Sequence, residues 1–216
     1  MIRKTRCDTA MNFKPLNARK EYYMNEYLEN QLNKSVVYRQ LKDNCESNNQ
    51  HEVLALVAKV GTFAVGRLKT VIKNMPEFTL HDDTHIFNML TIIGKLIPHE
   101  NMRKLSTPDL FMLIVSVFLH DIGMAPDEKH ILVWKNQLHE TEYDEELKEE
   151  REKFARFRLT YTHQLADIER LKAEQEFSKA QLLEDYIVTE YIRTTHSIRA
   201  REVIARYWAG KIVYRY

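Results

Sequence analysis

The chain has 216 residues, a length that fits one domain or one domain with a long arm. Hydrophobic residues make up 44% and charged residues 29%, so a buried core is possible and wholesale disorder is excluded. The 32 basic and 31 acidic side chains leave a formal net charge of +1, which argues against nucleic acid as a partner and against a polybasic membrane protein.

Cysteine and apolar content together predict a cytoplasmic protein. Cys7 and Cys45 are too few for a disulfide framework, which fits a reducing compartment. The first residues contain no apolar stretch long enough for a signal peptide. The longest apolar run, 111–119, is about half of a membrane span, so no membrane partner is expected.

Turn-forming residues are scarce, with 5 Gly and 5 Pro, and this favours an all-α fold. Residues 1–50 are predicted to form an N-terminal helical extension that closes with a polar loop at 43–50. Apolar residues then recur at three- and four-residue spacing over 51–75, which predicts a helix that Pro76 ends.

A second helix is predicted to begin within 79–83, where Thr79 can cap it, and to stop at Pro98. His85 precedes its apolar residues by one and two turns, so it is expected on or near the inward face. The predicted buried face consists of Met89, Ile92, Ile93, Leu96 and Ile97.

The third helix has the clearest start and the most apolar body of the chain. Thr107 is the predicted N-cap and Pro108 the first helical residue. Because 111–119 is apolar on all sides, this helix is expected to run through the core. It ends at His120 and Asp121, two polar side chains that need partners if they are buried.

A change in composition marks 127–180 as a charged helical insertion. Pairs four residues apart, Glu149 with Lys153 and Glu152 with Arg156, predict a solvated helical arm. A last helix follows over 181–207. The predicted plan is an extension at 1–50, a first core part at 51–126, the insertion at 127–180 and a truncated core continuation at 181–216.

The residues with the strongest chemical signal are His85 and the His120-Asp121 pair. A second such dipeptide, His81-Asp82, lies at a predicted helix start, where a charge is easily tolerated. At the exit of a buried helix, Asp121 needs a counter-charge, and a divalent cation held by imidazole and carboxylate would supply it.

Three segments, 78–90, 118–124 and 190–202, resemble motifs of the HD superfamily of metal-dependent phosphohydrolases. The likeness is nearest to bacterial HD modules that precede an Hsp90-like or histidine-kinase-type ATP-binding domain. It covers roughly 50–208 and implies an HD-type helical bundle with a long charged helical insertion.

The resemblance implies a ligand set and a catalytic pair. His85 corresponds to the first metal ligand, His120 and Asp121 to the catalytic doublet, and His196 to an added ligand for a second metal or for phosphate. Asp121 would bridge if two metals bind. The superfamily closes its set with a further Asp on a later helix, but no Asp follows Asp185 here.

The implied chemistry is hydrolysis of a nucleotide or related phosphate ester with a divalent ion, namely Mn, Fe, Ni, Co, Zn or Mg. Arg193 and Arg199 are expected to bind substrate, because bidentate guanidinium contacts suit phosphate. His81 is expected on the substrate side or behind a ligand. Asp82 or Asp83 is expected to orient a ligand histidine from behind.

Two alternatives to an enzyme are compatible with the same residues. One is a non-catalytic HD module that senses a nucleotide and belongs to a larger ATPase-containing protein, with the arm 140–180 contacting an ATP-binding domain or another protein. The other is a helical structural protein with a chance His-Asp pair, which predicts no metal and an ordinary ion pair at Asp121.

Overall fold

The computed structural model describes residues 26–74 and 83–208, and every regular element within these ranges is helical. The predicted all-α bundle is therefore confirmed. Two 3-10 turns, Ile122–Met124 and Glu140–Glu142, interrupt the α-helices. The α-helices are α1 Glu26–Lys34, α2 Val36–Ser47, α3 His51–Asn74, α4 Asp83–Leu96, α5 His99–Met102, α6 Thr107–Leu119, α7 Glu128–Trp134, α8 Glu145–Arg158, α9 Thr162–Ala173 and α10 Phe177–Trp208.

The apolar helix α6 forms the centre of the core, as its composition predicts. It contacts α2, α3 and α4, and Leu110, Ile114 and Phe118 have no exposed surface. Burying one such side chain stabilises a fold by roughly 1.5–3 kcal/mol. The packing fixes the end of α6, and therefore the position of the polar residues that follow it.

The start of α6 differs from the prediction by one residue. Ser106, not Thr107, is the N-cap: its hydroxyl accepts a hydrogen bond from the Asp109 N–H, and the Asp109 carboxylate accepts one from the Ser106 N–H. This reciprocal pair satisfies two backbone donors of the first turn. Thr107 lies inside the helix, where it is buried.

We expect Ser106→Ala to lower the free energy of unfolding by about 1 kcal/mol, because the helix loses its capping acceptor. The matched control is Ser197→Ala, at an exposed position within α10, for which a change within about 0.5 kcal/mol is expected. Urea denaturation of both variants measures the difference. Equal stabilities would show that the capping pair contributes nothing.

The buried face of α4 is rotated from the predicted one. Ile86, Phe87 and Leu90 are buried, whereas Ile92 is 53% and Leu96 74% exposed. Ile92 lies two residues beyond Leu90, about 200° around the helix axis, so both cannot face the core. The prediction for Ile92 and Leu96 was wrong because it grouped residues by type rather than by angle.

The polar loop predicted at 43–50 is mostly helix. Helix α2 continues to Ser47 because Val37, Leu41 and Cys45, spaced four apart, are all fully buried. Both α1 and α2 contact α3 and α4, and so the described part of the extension contributes to the same core. Its status as a separate segment stays a prediction.

The charged insertion is packed along one side and exposed along the other. The predicted pairs Glu149–Lys153 and Glu152–Arg156 form at 2.9 Å and 3.7 Å. Helix α8 nevertheless contacts α7, and α9 contacts α10. The buried apolar residues of α8 and α9, which the prediction of a solvated arm did not include, are Leu147, Phe154, Ile168 and Leu171.

The stretch Thr107–Trp134 is the one part of the described chain that is long and apolar enough to cross a membrane by length and composition. Within its most apolar window, 67% is buried inside the protein. That burial is typical of a core helix, in agreement with the packing of α6. A cytoplasmic location stays a prediction.

Candidate metal centre

The polar pair at the end of α6 is placed by the packing of that helix. His120 is its C-cap residue and keeps helical backbone angles, and its N–H donates to the Ser116 carbonyl. Asp121 then leaves the helix, and its carbonyl accepts from the Met124 N–H at 2.8 Å. Only 8% of Asp121 is exposed, so its carboxylate is held at the inner end of the core helix.

His85, from the first turn of α4, faces this pair. Its Nε2 lies 3.7 Å from Asp121 Oδ2, and the same oxygen lies 2.8 Å from His120 Nε2. The two imidazole centroids are 5.5 Å apart. One ligand atom from each of the three residues lies within 4.8 Å of the others, which makes this a cluster that can hold a metal ion.

The tautomer of His120 follows from its backbone contact. Its Nδ1 lies 2.8 Å from the Val117 carbonyl oxygen, and a carbonyl only accepts, so Nδ1 carries a proton. In a neutral imidazole Nε2 then carries a lone pair and can only accept, yet it faces the Asp121 carboxylate, which is also an acceptor. Two acceptors at this distance require a positive species beside them, either a second proton on His120 or a bound cation.

The hydrogen bond to Asp121 raises the pKa of His120 above its usual range, and partial burial opposes this change. A carboxylate that favours the protonated imidazole also favours a metal ion near the same nitrogen. Imidazole nitrogens and a carboxylate oxygen are ligands for first-row transition metals at about 2.0–2.2 Å, and the three atoms are close enough for such a shell. The donor set therefore fits the predicted divalent ion.

The structure brings His196 to this region but not into the cluster. Its backbone carbonyl packs directly on Gly123, two residues after Asp121. Its Nδ1 is 2.6 Å from the Arg193 carbonyl oxygen of its own helix. The three clustered donors do not include His196, so its role as an added ligand stays a prediction.

The two candidate phosphate-binding arginines lie in opposite environments. Arg193 is exposed and pairs with Glu190 at 2.7 Å, whereas Arg199 is buried. Asp83 occupies the first turn of α4, and its orienting role stays a prediction. His81 and Asp82 lie outside the described residues.

Arg199 belongs to a buried polar cluster that the sequence did not reveal. Its guanidinium lies 4.9 Å from the Trp134 ring centroid and 3.7 Å from Glu150 Oε1. The same oxygen accepts from Trp134 Nε1 at 3.2 Å and from the Tyr191 hydroxyl at 3.1 Å. Burial lowers the pKa of Arg199, and the nearby Glu150 charge opposes that effect. Through its contacts with Glu150 and Trp134, this arginine joins α10 to α8 and α7.

We expect Glu150→Gln to lower the free energy of unfolding by about 2 kcal/mol, because it removes the charge opposite a buried guanidinium while the amide oxygen can still accept hydrogen bonds. The neighbouring Glu149→Gln is the control, since its pair with Lys153 is exposed and should contribute less than about 0.5 kcal/mol. Equal effects in thermal and urea unfolding would contradict the role of the buried pair.

Comparison with known proteins gives one match. The HD-CE family model matches residues 75–215, which is more than half of the chain. The chain belongs to the HD-CE family. No curated protein and no solved structure matches it.

The HD-CE match supports the HD-type interpretation of the motifs. It includes His85, His120 and Asp121 and extends through the charged insertion into α10. Helices α1 to α3 precede the matched residues, although they pack into the same core. The HD-CE domain of this chain is thus a helical bundle that presents two imidazoles and a carboxylate to one point.

Proposed function

We propose that this HD-CE protein is a metal-dependent phosphohydrolase acting on a nucleotide or related phosphate ester. The observation that carries the proposal is the contact at the end of α6. The His120 Nε2 and the Asp121 carboxylate meet at 2.8 Å with His85 beside them, an arrangement that a bound cation would stabilise. The HD-CE match adds support because HD motifs are associated with this chemistry.

Each clustered side chain has one role in this proposal. His85 and His120 would supply neutral nitrogen ligands to the ion, and Asp121 would supply a negatively charged oxygen ligand. The Val117 carbonyl keeps the His120 proton on Nδ1, which leaves Nε2 available. A bound divalent ion would lower the pKa of a coordinated water and neutralise phosphate oxygens.

The net reaction requires no further reactant. Water oxygen adds to phosphorus, the phosphorus–oxygen bond to the alcohol breaks, and the alcohol leaves with a proton. Arg193, on the exposed side of α10, is a candidate for contacting the phosphate. Contacts of Arg199 and His81 with the substrate stay predictions from the resemblance.

The test is hydrolysis of a nucleotide panel and of bis-p-nitrophenyl phosphate by the full chain with Mn²⁺ or with EDTA. Activity should require the metal and fall below detection in the His120→Ala, Asp121→Ala double variant. A His99→Ala, Asp167→Asn double variant, changed at exposed positions, is the control and should keep wild-type rates. Full activity in the first double variant would refute the proposal.

A second candidate is a non-catalytic HD module that binds a nucleotide or related ester for regulation. It is favoured by the cluster itself, which supplies three donors among the described residues without a further carboxylate. In this case the exposed side of the arm 140–180 would contact an ATP-binding domain or another protein of a bacterial system. Calorimetry with nucleotides decides: tight binding without product supports this candidate, and turnover removes it.

A further inference from the structure

An apolar groove lies directly beside the candidate metal centre. It has a volume of about 710 Å³, within the range of ligand pockets, and it is formed by one face each of α6 and α10. The lining residues of α6 follow each other at three- and four-residue spacing and end on a metal-cluster residue. They are Met112, Val115, Ser116, Leu119 and His120.

The groove therefore adjoins the cluster, because His120 belongs to both. From His120 to Met112 it extends about 12 Å along α6. On the opposite side of the groove, α10 contributes Ser197 and Arg201, and its other lining residues are mostly apolar. A ligand with its charged end at the cluster would direct the rest of its length along apolar side chains.

The polarity of the lining restricts what that length can be. Besides His120, Arg201 is the one charged side chain among the described lining residues. The other polar side-chain groups among them are the Ser116 and Ser197 hydroxyls and the indole N–H of Trp208. A ribose and a base carry more donors and acceptors than these can pair, and an unpaired polar group in an apolar groove weakens binding. An alkyl or aryl group meets no such penalty.

We propose that this groove binds the apolar group of a phosphate ester whose phosphate lies at the His85, His120 and Asp121 cluster. The inference rests on the proposed phosphohydrolase function and specifies its substrate class as phosphate esters of apolar alcohols. Arg201 adds a positive charge to the groove lining, which favours an anionic ligand over a neutral one with the same apolar group.

The test measures binding of octylphosphonate, methylphosphonate and AMP to the full chain by calorimetry with Mn²⁺. Each methylene removed from water strengthens binding roughly fourfold, so octylphosphonate should bind at least about a hundredfold more tightly than methylphosphonate. It should also bind more tightly than AMP, and more tightly than octanol, which lacks the anionic end. Equal affinities for the two phosphonates, or tighter binding of AMP, would overturn the inference.

Two matched variants locate the apolar group. Met112, in the groove, and Ile198, on α10 outside the lining, are 55% and 53% exposed. Met112→Glu should weaken octylphosphonate binding at least about tenfold and leave methylphosphonate binding unchanged. Ile198→Glu should change neither. An unchanged octylphosphonate affinity in Met112→Glu would place the ligand elsewhere and contradict the proposal.

Failure of this inference can be distinguished from failure of the proposed function. If Mn²⁺ binds at the cluster but the two phosphonates bind equally, the groove assignment is wrong and the phosphohydrolase proposal stands. If octylphosphonate is preferred in a Met112-dependent manner but Mn²⁺ neither binds nor strengthens its binding, the metal-dependent function is wrong. In that case the groove still binds an apolar anion, but the assignment of its phosphate to the cluster is overturned.

Discussion

Asp121→Asn is expected to weaken Mn²⁺ binding by more than about a hundredfold. This loss of affinity exceeds the roughly 10- to 100-fold loss that follows when a metal ligand loses its hydrogen-bond partner. Asp121 is the only anionic donor of the cluster, and it is held 2.8 Å from His120 Nε2 and 3.7 Å from His85 Nε2. Asparagine keeps the shape but removes the charge that holds the cation between two imidazoles.

Calorimetric titration with Mn²⁺ measures this effect, and thermal unfolding with and without metal provides a second readout. At a Mn²⁺ concentration about a hundredfold above Kd, binding should stabilise the wild-type fold by about 2.7 kcal/mol, and this gain should vanish in Asp121→Asn. Asp167→Asn, at an exposed position in α9, should retain wild-type affinity. Unchanged affinity in Asp121→Asn would mean that Mn²⁺ binds elsewhere.

Gly123→Ala is expected to lower the free energy of unfolding by about 3 kcal/mol or more. This value is at the upper end of what an added carbon usually costs in a tightly packed core. A Cβ at this position would collide with the carbonyl oxygen of His196 and lie 2.6 Å from the Ala200 amide nitrogen. Both obstacles are helix backbone, which cannot move aside as a flexible side chain can. Helix α10 would have to shift away from the end of α6, which positions Asp121.

The control for this variant is Gly66→Ala within α3. A Cβ there meets nothing within 4 Å, and alanine favours helix, so we expect stabilisation by roughly 0.5–1 kcal/mol. The same glycine-to-alanine substitution should therefore lower the free energy of unfolding at one position and raise it at the other, as measured by urea denaturation. If Gly123→Ala is as stable as the wild type, the close approach of α10 to the end of α6 is not required by the fold.

The sequence predicted the centre of the site because burial and charge conflict there. The run 111–119 was expected in the core, so Asp121 at its exit needed a counter-charge, and the spacing of His85 placed it on or near the inward face. In the structure these residues and His120 lie close enough for one ligand atom of each to be within 4.8 Å of the others, and their roles as ligands stay a prediction. The His196 side chain is not part of that group. Its spacing along α10 could place it on a helix face but could not predict the direction of its imidazole.

Other features depended on contacts that no local pattern encodes. Ser106 and Thr107 are adjacent and both can cap a helix, so only the geometry of the first turn separates them. The pairing of Glu150 with Arg199 joins helices far apart in sequence, and each residue alone looks like an ordinary surface charge. The groove arises from the separation of α6 and α10, which composition does not specify.

The most direct test of the account is the anomalous scattering of a Mn²⁺-soaked crystal of the full chain, recorded near the manganese absorption edge. The account predicts a peak with a His85 nitrogen, His120 Nε2 and an Asp121 oxygen at roughly 2.0–2.3 Å from it. An ordered cluster without such a peak, with a proton-bridged His120–Asp121 pair instead, would contradict it.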